Sequence, residues 1–134
     1  MNNLLPHHDV YCRIGRSKIH GVGVIAILDL AKGIDPFKHA ADDYHKIKKT
    51  ALIGLRPAIR SLYEDFCAVE GEYLWAPKHF NRINISWFLN HSRKPNVAPT
   101  DKTGSFFVTL RKIKAGEELL SDYNTYCEKG HGHD

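Results

Sequence analysis

The residues Trp87-Phe88-Leu89 run straight into Asn90-His91-Ser92-Arg93-Lys94-Pro95-Asn96-Val97, and no other stretch restricts the fold of this chain so strongly. An apolar run that stops on Asn-His-Ser places side chains with both donor and acceptor capacity where burial ends, and Pro95-Asn96 then turns the chain. Such an end suits the polar part of a small ligand. Glu117-Glu118-Leu119-Leu120-Ser121-Asp122-Tyr123 reads as the segment built to meet it.

Upstream, Gly21-Val22-Gly23-Val24-Ile25-Ala26-Ile27-Leu28 alternates glycine with valine before becoming wholly apolar. This fits a strand entering the core, with glycines that let something approach the backbone closely. On its own a Gly-x-Gly marks no more than a bulge or a tight turn. In combination, Gly21-Val22-Gly23, Asn90-His91-Ser92 with Pro95-Asn96, and Glu118-Leu119 with Asp122-Tyr123 resemble, in order and spacing, three motifs of the SET-domain protein lysine methyltransferases. The resemblance covers roughly residues 11–126.

The resemblance implies an α+β, predominantly β fold: a SET-domain arrangement of several short sheets with a helical insert. It also implies a C-terminal pseudoknot in which the strand bearing Tyr123 threads the Asn90 segment, an arrangement unusual among folds. The implied activity is methyl transfer from S-adenosyl-L-methionine to the side-chain amine of a lysine in a protein substrate, histone-like or ribosomal. Tyr123 is then the catalytic residue, and Gly21, Val22, Gly23, Asn90 and His91 hold the cofactor. Tyr73, Ser121 and Tyr126 belong to the substrate channel. Ser121 stands two residues before Tyr123, where the family usually has phenylalanine or tyrosine, and a smaller residue there leaves room for multiple methylation. Trp87 and Arg93 replace an arginine and a cysteine frequent in the family, and a catalytically weak, SET-like protein-binding module is the alternative reading.

The chemistry fits the residues. Attack of an amine on a methylated, positively charged sulfur needs alignment and desolvation, with no acid for the neutral leaving group. No catalytic carboxylate pair is therefore required. The lysine must be neutral, and burial beside a like charge lowers its pKa. A tyrosine, ionising near pH ~10 when unperturbed, serves to orient the amine rather than as a general base.

A length of 134 residues makes a single domain, 1–134, able to bury a core without staples. No apolar run is long enough to span a bilayer, and Met1 to His8 has neither the basic nor the apolar region of a signal peptide. The expectation is a cytoplasmic protein, nuclear in a eukaryotic host, with no membrane partner, acting as monomer or homodimer. Cys12, Cys67 and Cys127 are widely spaced and read as reduced, partly buried thiols. A closed structural metal site is not expected; Cys127, His131 and His133 fall in a short polar tail, 127–134. The net charge of +4 is moderate and its cations are scattered, which gives no footprint for nucleic acid.

Along the chain, strands are expected at Tyr11–Ile14, Gly21–Leu28, Ser105–Leu110 and Glu118–Tyr123, with turns at Gly15–Lys18, Asp29–Gly33 and Asp101–Gly104. The insert, about 42–71, shows helical spacing: Tyr44, Ile47, Ala51, Leu52 and Leu55, then Ile59, Leu62, Tyr63 and Phe66 after Pro57. Two helices, or one broken at Arg56-Pro57, are predicted, with Gly71 as the stop.

Overall fold

The structure, a computed structural model, describes residues 6–40, 44–100 and 106–126. The expected tail with Cys127, His131 and His133, the turn Asp101–Gly104, and Met1 to Leu5 lie outside the described residues. Among the described residues, nine short strands and one α-helix follow in order: β1 Cys12–Arg16, β2 Val22–Ala26, β3 Tyr44–Lys48, α1 Pro57–Phe66, β4 Ala68–Glu70, β5 Tyr73–Pro77, β6 Asn90–His91, β7 Val97–Pro99, β8 Phe107–Thr109 and β9 Glu118–Ser121. Among the described residues they form three small sheets, ordered β1-β2-β9-β6, β3-β5-β4 and β7-β8. The predominantly β, α+β architecture is as expected.

The first sheet is antiparallel except at one place: β6 pairs with β9 in parallel, Asn90 opposite Leu120 and His91 opposite Ser121. Its inner face builds the main core from Cys12, Val24, Ala26 and Leu119, closed by Leu30, Phe37, Leu89, Val97, Phe107 and Ile113 from the loops and the small sheet. Burying each such aliphatic side chain contributes about 1.5–3 kcal/mol, so this cluster outweighs any single polar contact described below. Leu30 and Ile113 exchange backbone hydrogen bonds of 2.7 and 2.9 Å, stitching the loop after β2 to the loop before β9. The buried Thr109 hydroxyl donates to the Ala31 carbonyl at 2.7 Å and accepts from the Ile34 amide at 3.0 Å, which satisfies a polar group that would otherwise be costly there.

The insert departs from the prediction in its first half. Tyr44–Lys48 is a strand, not a helix, and pairs antiparallel with β5; Lys49–Leu52 adds only a single 3₁₀ turn. A helix of that length would be marginal alone, and Gly54, at φ +91°, interrupts any continuation before Pro57. Cross-strand pairing with Tyr73–Pro77 therefore prevails over the apolar period. The second helix forms as predicted from Pro57, but ends at Phe66. Gly71, expected to stop it, instead lies at φ +60° in the two-residue loop joining β4 to β5. A second, smaller core of Leu52, Cys67, Val69, Leu74 and Ala76 lies beneath the insert.

Cys12 and Cys67 are buried free thiols, 4% exposed each, and desolvation pushes both up to about 12. A raised thiol pKa means the neutral, unreactive form at any pH where the protein is handled. Residue-resolved mass spectrometry after iodoacetamide at pH 8 should find both unmodified in the native protein and both alkylated in urea.

Candidate functional site

Strand β9 is the rail on which the site is assembled. It sits between β2, with Val24 opposite Leu119 and Ile25 opposite Glu118, and β6 on its other side. Leu119 and Ser121 are fully buried. Asn96, 2% exposed, clips the chain to this rail from the far side of the Asn-His-Ser turn. Its side-chain amide donates to the Glu118 carbonyl at 2.9 Å, its side-chain oxygen accepts from the Leu120 amide at 2.8 Å, and its own amide donates to the Leu120 carbonyl at 3.0 Å.

The Glu118 carboxylate reaches back across β2. One oxygen accepts from the Ser17 hydroxyl at 2.8 Å and the other from Asn90 Nδ2 at 2.9 Å. Asn90 Nδ2 also lies 3.1 Å from the His20 carbonyl and 3.0 Å from the Val22 carbonyl. Ser17 Oγ in turn accepts from the amides of Ile19 and His20 at 2.9 and 3.0 Å. Gly23 makes room for this arrangement: a Cβ there would stand 2.2 Å from a Glu118 carboxylate oxygen. On that side the glycine faces a side chain of the protein.

Beyond β9 the chain enters a 3₁₀ turn, Tyr123–Thr125, capped by Asp122, whose carboxylate accepts from the Asn124 amide at 3.0 Å. The Tyr123 hydroxyl donates to the Leu89 carbonyl, and its backbone amide donates to His91 Nδ1 at 3.0 Å. A nitrogen that accepts cannot carry the proton, so neutral His91 has its hydrogen on Nε2. Asp122 Oδ1, 3.7 Å from the same nitrogen, makes no hydrogen bond to it in that state. His91→Ala leaves the Tyr123 amide without its acceptor and should cost about 1–3 kcal/mol in urea unfolding; His91→Asn, whose Oδ1 stands near the place of Nδ1, should recover most of it.

A cavity of about 560 Å³ brings these pieces together, its lining including His20, Gly21, Val22, Asn90, Tyr123 and Tyr126. Tyr44, Trp75, Trp87 and Phe88 add aromatic side chains to the lining. Glu64 and Asp65, from the last turn of α1, reach the same cavity; among the described residues neither makes an ion pair.

Of the residues predicted from sequence, Gly21, Val22, Asn90, Tyr123 and Tyr126 line this cavity, and Gly23, His91, Tyr73 and Ser121 do not. His91 acts on Tyr123 through its ring. Tyr73 lies one pleat beyond the cavity, with Lys46 Nζ 5.2 Å from its ring centre, and Trp75, on the same face of β5, takes the inner position. Ser121 is fully buried, and its hydroxyl meets the Tyr126 hydroxyl at 2.8 Å, so the space left by a small residue is bordered by Tyr126. Sequence reasoning missed Ser17, Trp75 and Tyr44, and read Asn96 as a turn residue and part of the Asn-His-Ser motif without giving it a role at the site. A signal for Trp75 existed in its alternation with Tyr73.

A family model described as the SET domain matches residues 21–124. The chain is 33% identical over 89 residues to the SET domain-containing protein L678 of Acanthamoeba polyphaga mimivirus, a match spanning 60% of this chain and 34% of that protein. The chain thus spans about a third of that curated relative. Among solved structures it is similar to the Chaetomium thermophilum Polycomb Repressive Complex 2, as a humanized mutant bound to the inhibitor GSK126, with TM-score 0.60 and 22% identity over 90% of this chain and 16% of that one. The same complex in an autoinhibited conformation bound to S-adenosylmethionine gives TM-score 0.59 and 21% identity, with the same coverage. Plasmodium falciparum PFL0690c, a suspected histone methyltransferase, gives TM-score 0.51 and 18% identity over 86% of this chain and 94% of its own. These likenesses concern the fold.

Proposed function

The chain belongs to the SET-domain family, and from that premise we propose that it is a protein-lysine methyltransferase using S-adenosylmethionine, acting in the cytoplasm or, in a eukaryotic host, the nucleus. One observation carries the reading: Gly21, Val22 and Asn90, expected at the cofactor, line a single cavity with Tyr123 and Tyr126. About 560 Å³ is ample for a cofactor of this size together with a side chain entering from outside.

The donor set fits the cofactor. Gly21, at φ +54°, turns the loop backbone toward open space, where a Cβ would meet nothing within 4 Å. The aromatic walls suit a cation, which aromatic faces attract. Gly21, Val22 and Asn90 would hold the molecule. When bound, it supplies a methyl group on a positively charged sulfur that departs as a neutral thioether.

The protein's own residues do the rest. Tyr44, Trp75 and Trp87 give the cavity apolar surface for the methylene stem of an entering lysine. A Tyr123 hydroxyl that donates to Leu89 can accept from the N–H of that amine and so fix the direction of its lone pair. Glu64 and Asp65 sit at the C-terminal end of a helix, where its dipole disfavours negative charge by about 0.3–1 kcal/mol each. Two carboxylates in that place suit a basic peptide arriving at the cavity mouth.

Calorimetric titration with S-adenosylmethionine, followed by transfer of a labelled methyl group to histones and other basic proteins, tests the proposal. Binding with transfer to lysine supports it. Binding without transfer reduces the protein to a module that holds the cofactor, and absence of binding overturns the reading.

A further inference from the structure

The hydrogen bonds around Glu118 form one connected latch, and we propose that Glu118 is a positioning residue that fixes the 17–22 loop in its cofactor-accepting shape. Beyond the β1–β2 pairing that sets Arg16 opposite Val22, the loop has little packing to hold it. Lys18, Ile19, His20, Gly21 and Val22 are exposed, and Val22 is the first residue of β2. What fixes it is polar: the Ser17 amide donates to the Gly21 carbonyl at 2.9 Å, and Ser17 Oγ gathers the Ile19 and His20 amides. That hydroxyl has one proton, and it goes to Glu118 at 2.8 Å. Glu118 thereby orients Ser17 as an acceptor toward the loop.

The other carboxylate oxygen performs the matching task at the loop's far end. By accepting from Asn90 Nδ2 it holds that amide against the His20 and Val22 carbonyls. One side chain on β9 thus ties both ends of a loop that starts about a hundred residues earlier, and it does so through the gap that Gly23 leaves. A carboxylate is the group for the task, since it accepts on both oxygens and charge-assisted bonds are roughly twice as strong as neutral ones. A glutamine would turn a donor toward Asn90, itself donating.

Hydrogen exchange followed by mass spectrometry on the full chain, as wild type, Glu118→Ala, Ser17→Ala, Ser17→Thr and the double alanine variant, tests the latch without reference to activity. Glu118→Ala and Ser17→Ala should each speed exchange at the Ile19 and His20 amides by about tenfold or more, the scale of one charge-assisted bond. Ser17→Thr, which keeps the hydroxyl, should stay within about twofold, and the double variant should be no worse than the poorer single one, because both remove the same link. Additive effects, or unchanged exchange in both single variants, would overturn the proposal. Should Glu118→Ala fail to fold, Glu118→Gln, which keeps the volume but loses one acceptor, takes its place with the same expected and overturning outcomes.

The cofactor half of the inference rests on the S-adenosylmethionine reading. Calorimetry on the same proteins should show the affinity lost by about tenfold or more in Glu118→Ala and Ser17→Ala and kept in Ser17→Thr. If the wild type does not bind the cofactor, that reading fails, and the exchange measurements still decide whether Glu118 holds the loop.

Discussion

Tyr123→Phe is expected to lower methyl transfer by about 10²–10³-fold, the scale seen when one preorganised hydrogen-bonding group is removed from a reacting centre, while cofactor affinity stays within about twofold. The substitution removes a single oxygen. The ring keeps its neighbours, His91 with centroids 5.2 Å away and Tyr126 at 6.0 Å, and the backbone amide keeps its bond to His91. The bond to the Leu89 carbonyl is lost, worth about 0.5–1.5 kcal/mol of stability. Single-turnover transfer and thermal unfolding on the same sample separate the two consequences. A variant that retains more than half of the transfer rate would remove Tyr123 from the chemistry, and one that loses rate in proportion to folded protein would make it a structural residue.

The largest effect on stability is expected at Asn96. Asn96→Ala takes the acceptor from the Leu120 amide and the donor from the Glu118 carbonyl in a place only 2% exposed to water. Each buried group left without a partner costs about 1–3 kcal/mol, so a loss of about 2–5 kcal/mol is expected, against a total of about 5–15 for an ordinary domain. Urea unfolding with an unchanged m-value would register it as a loss of native stability. Asn96→Asp keeps the acceptor but places an unpaired charge facing a carbonyl, and at neutral pH it should be no better than alanine. A cost below about 0.5 kcal/mol for Asn96→Ala would mean that β9 is held by its strand pairings and Leu119 alone.

The fold class and the two segments that meet at the site were legible because their signals are local and dense: a glycine-valine alternation, an apolar run ending on Asn-His-Ser, and a short strand ending on Asp-Tyr. The insert was not. Tyr44, Ile47, Ala51 and Leu55 carry a helical period, yet whether a short apolar stretch pairs or coils is decided by a partner strand nearly thirty residues away. The wall of the cavity was legible only in part for a similar reason. Tyr73 and Trp75 look alike in sequence, and which one reaches the site depends on where β5 meets β3. Glu118, Ser17 and Asn96 escaped functional assignment since their meaning lies in hydrogen bonds that join distant parts of the chain.

The place of β9 in the first sheet also gives the protein a schedule. Strands β1 and β2 are neighbours in sequence and can pair as soon as both have been synthesised, but Val24 waits for Leu119, and Asn90 waits for Leu120 and Glu118. Pairings of such sequence separation form late, after the entropy of closing the intervening chain has been met. A nascent chain that stops short of Glu118 therefore has the glycine loop, the Asn-His-Ser turn and the aromatic wall without the strand that aligns them. Truncated products that lack β9 should therefore have no assembled site.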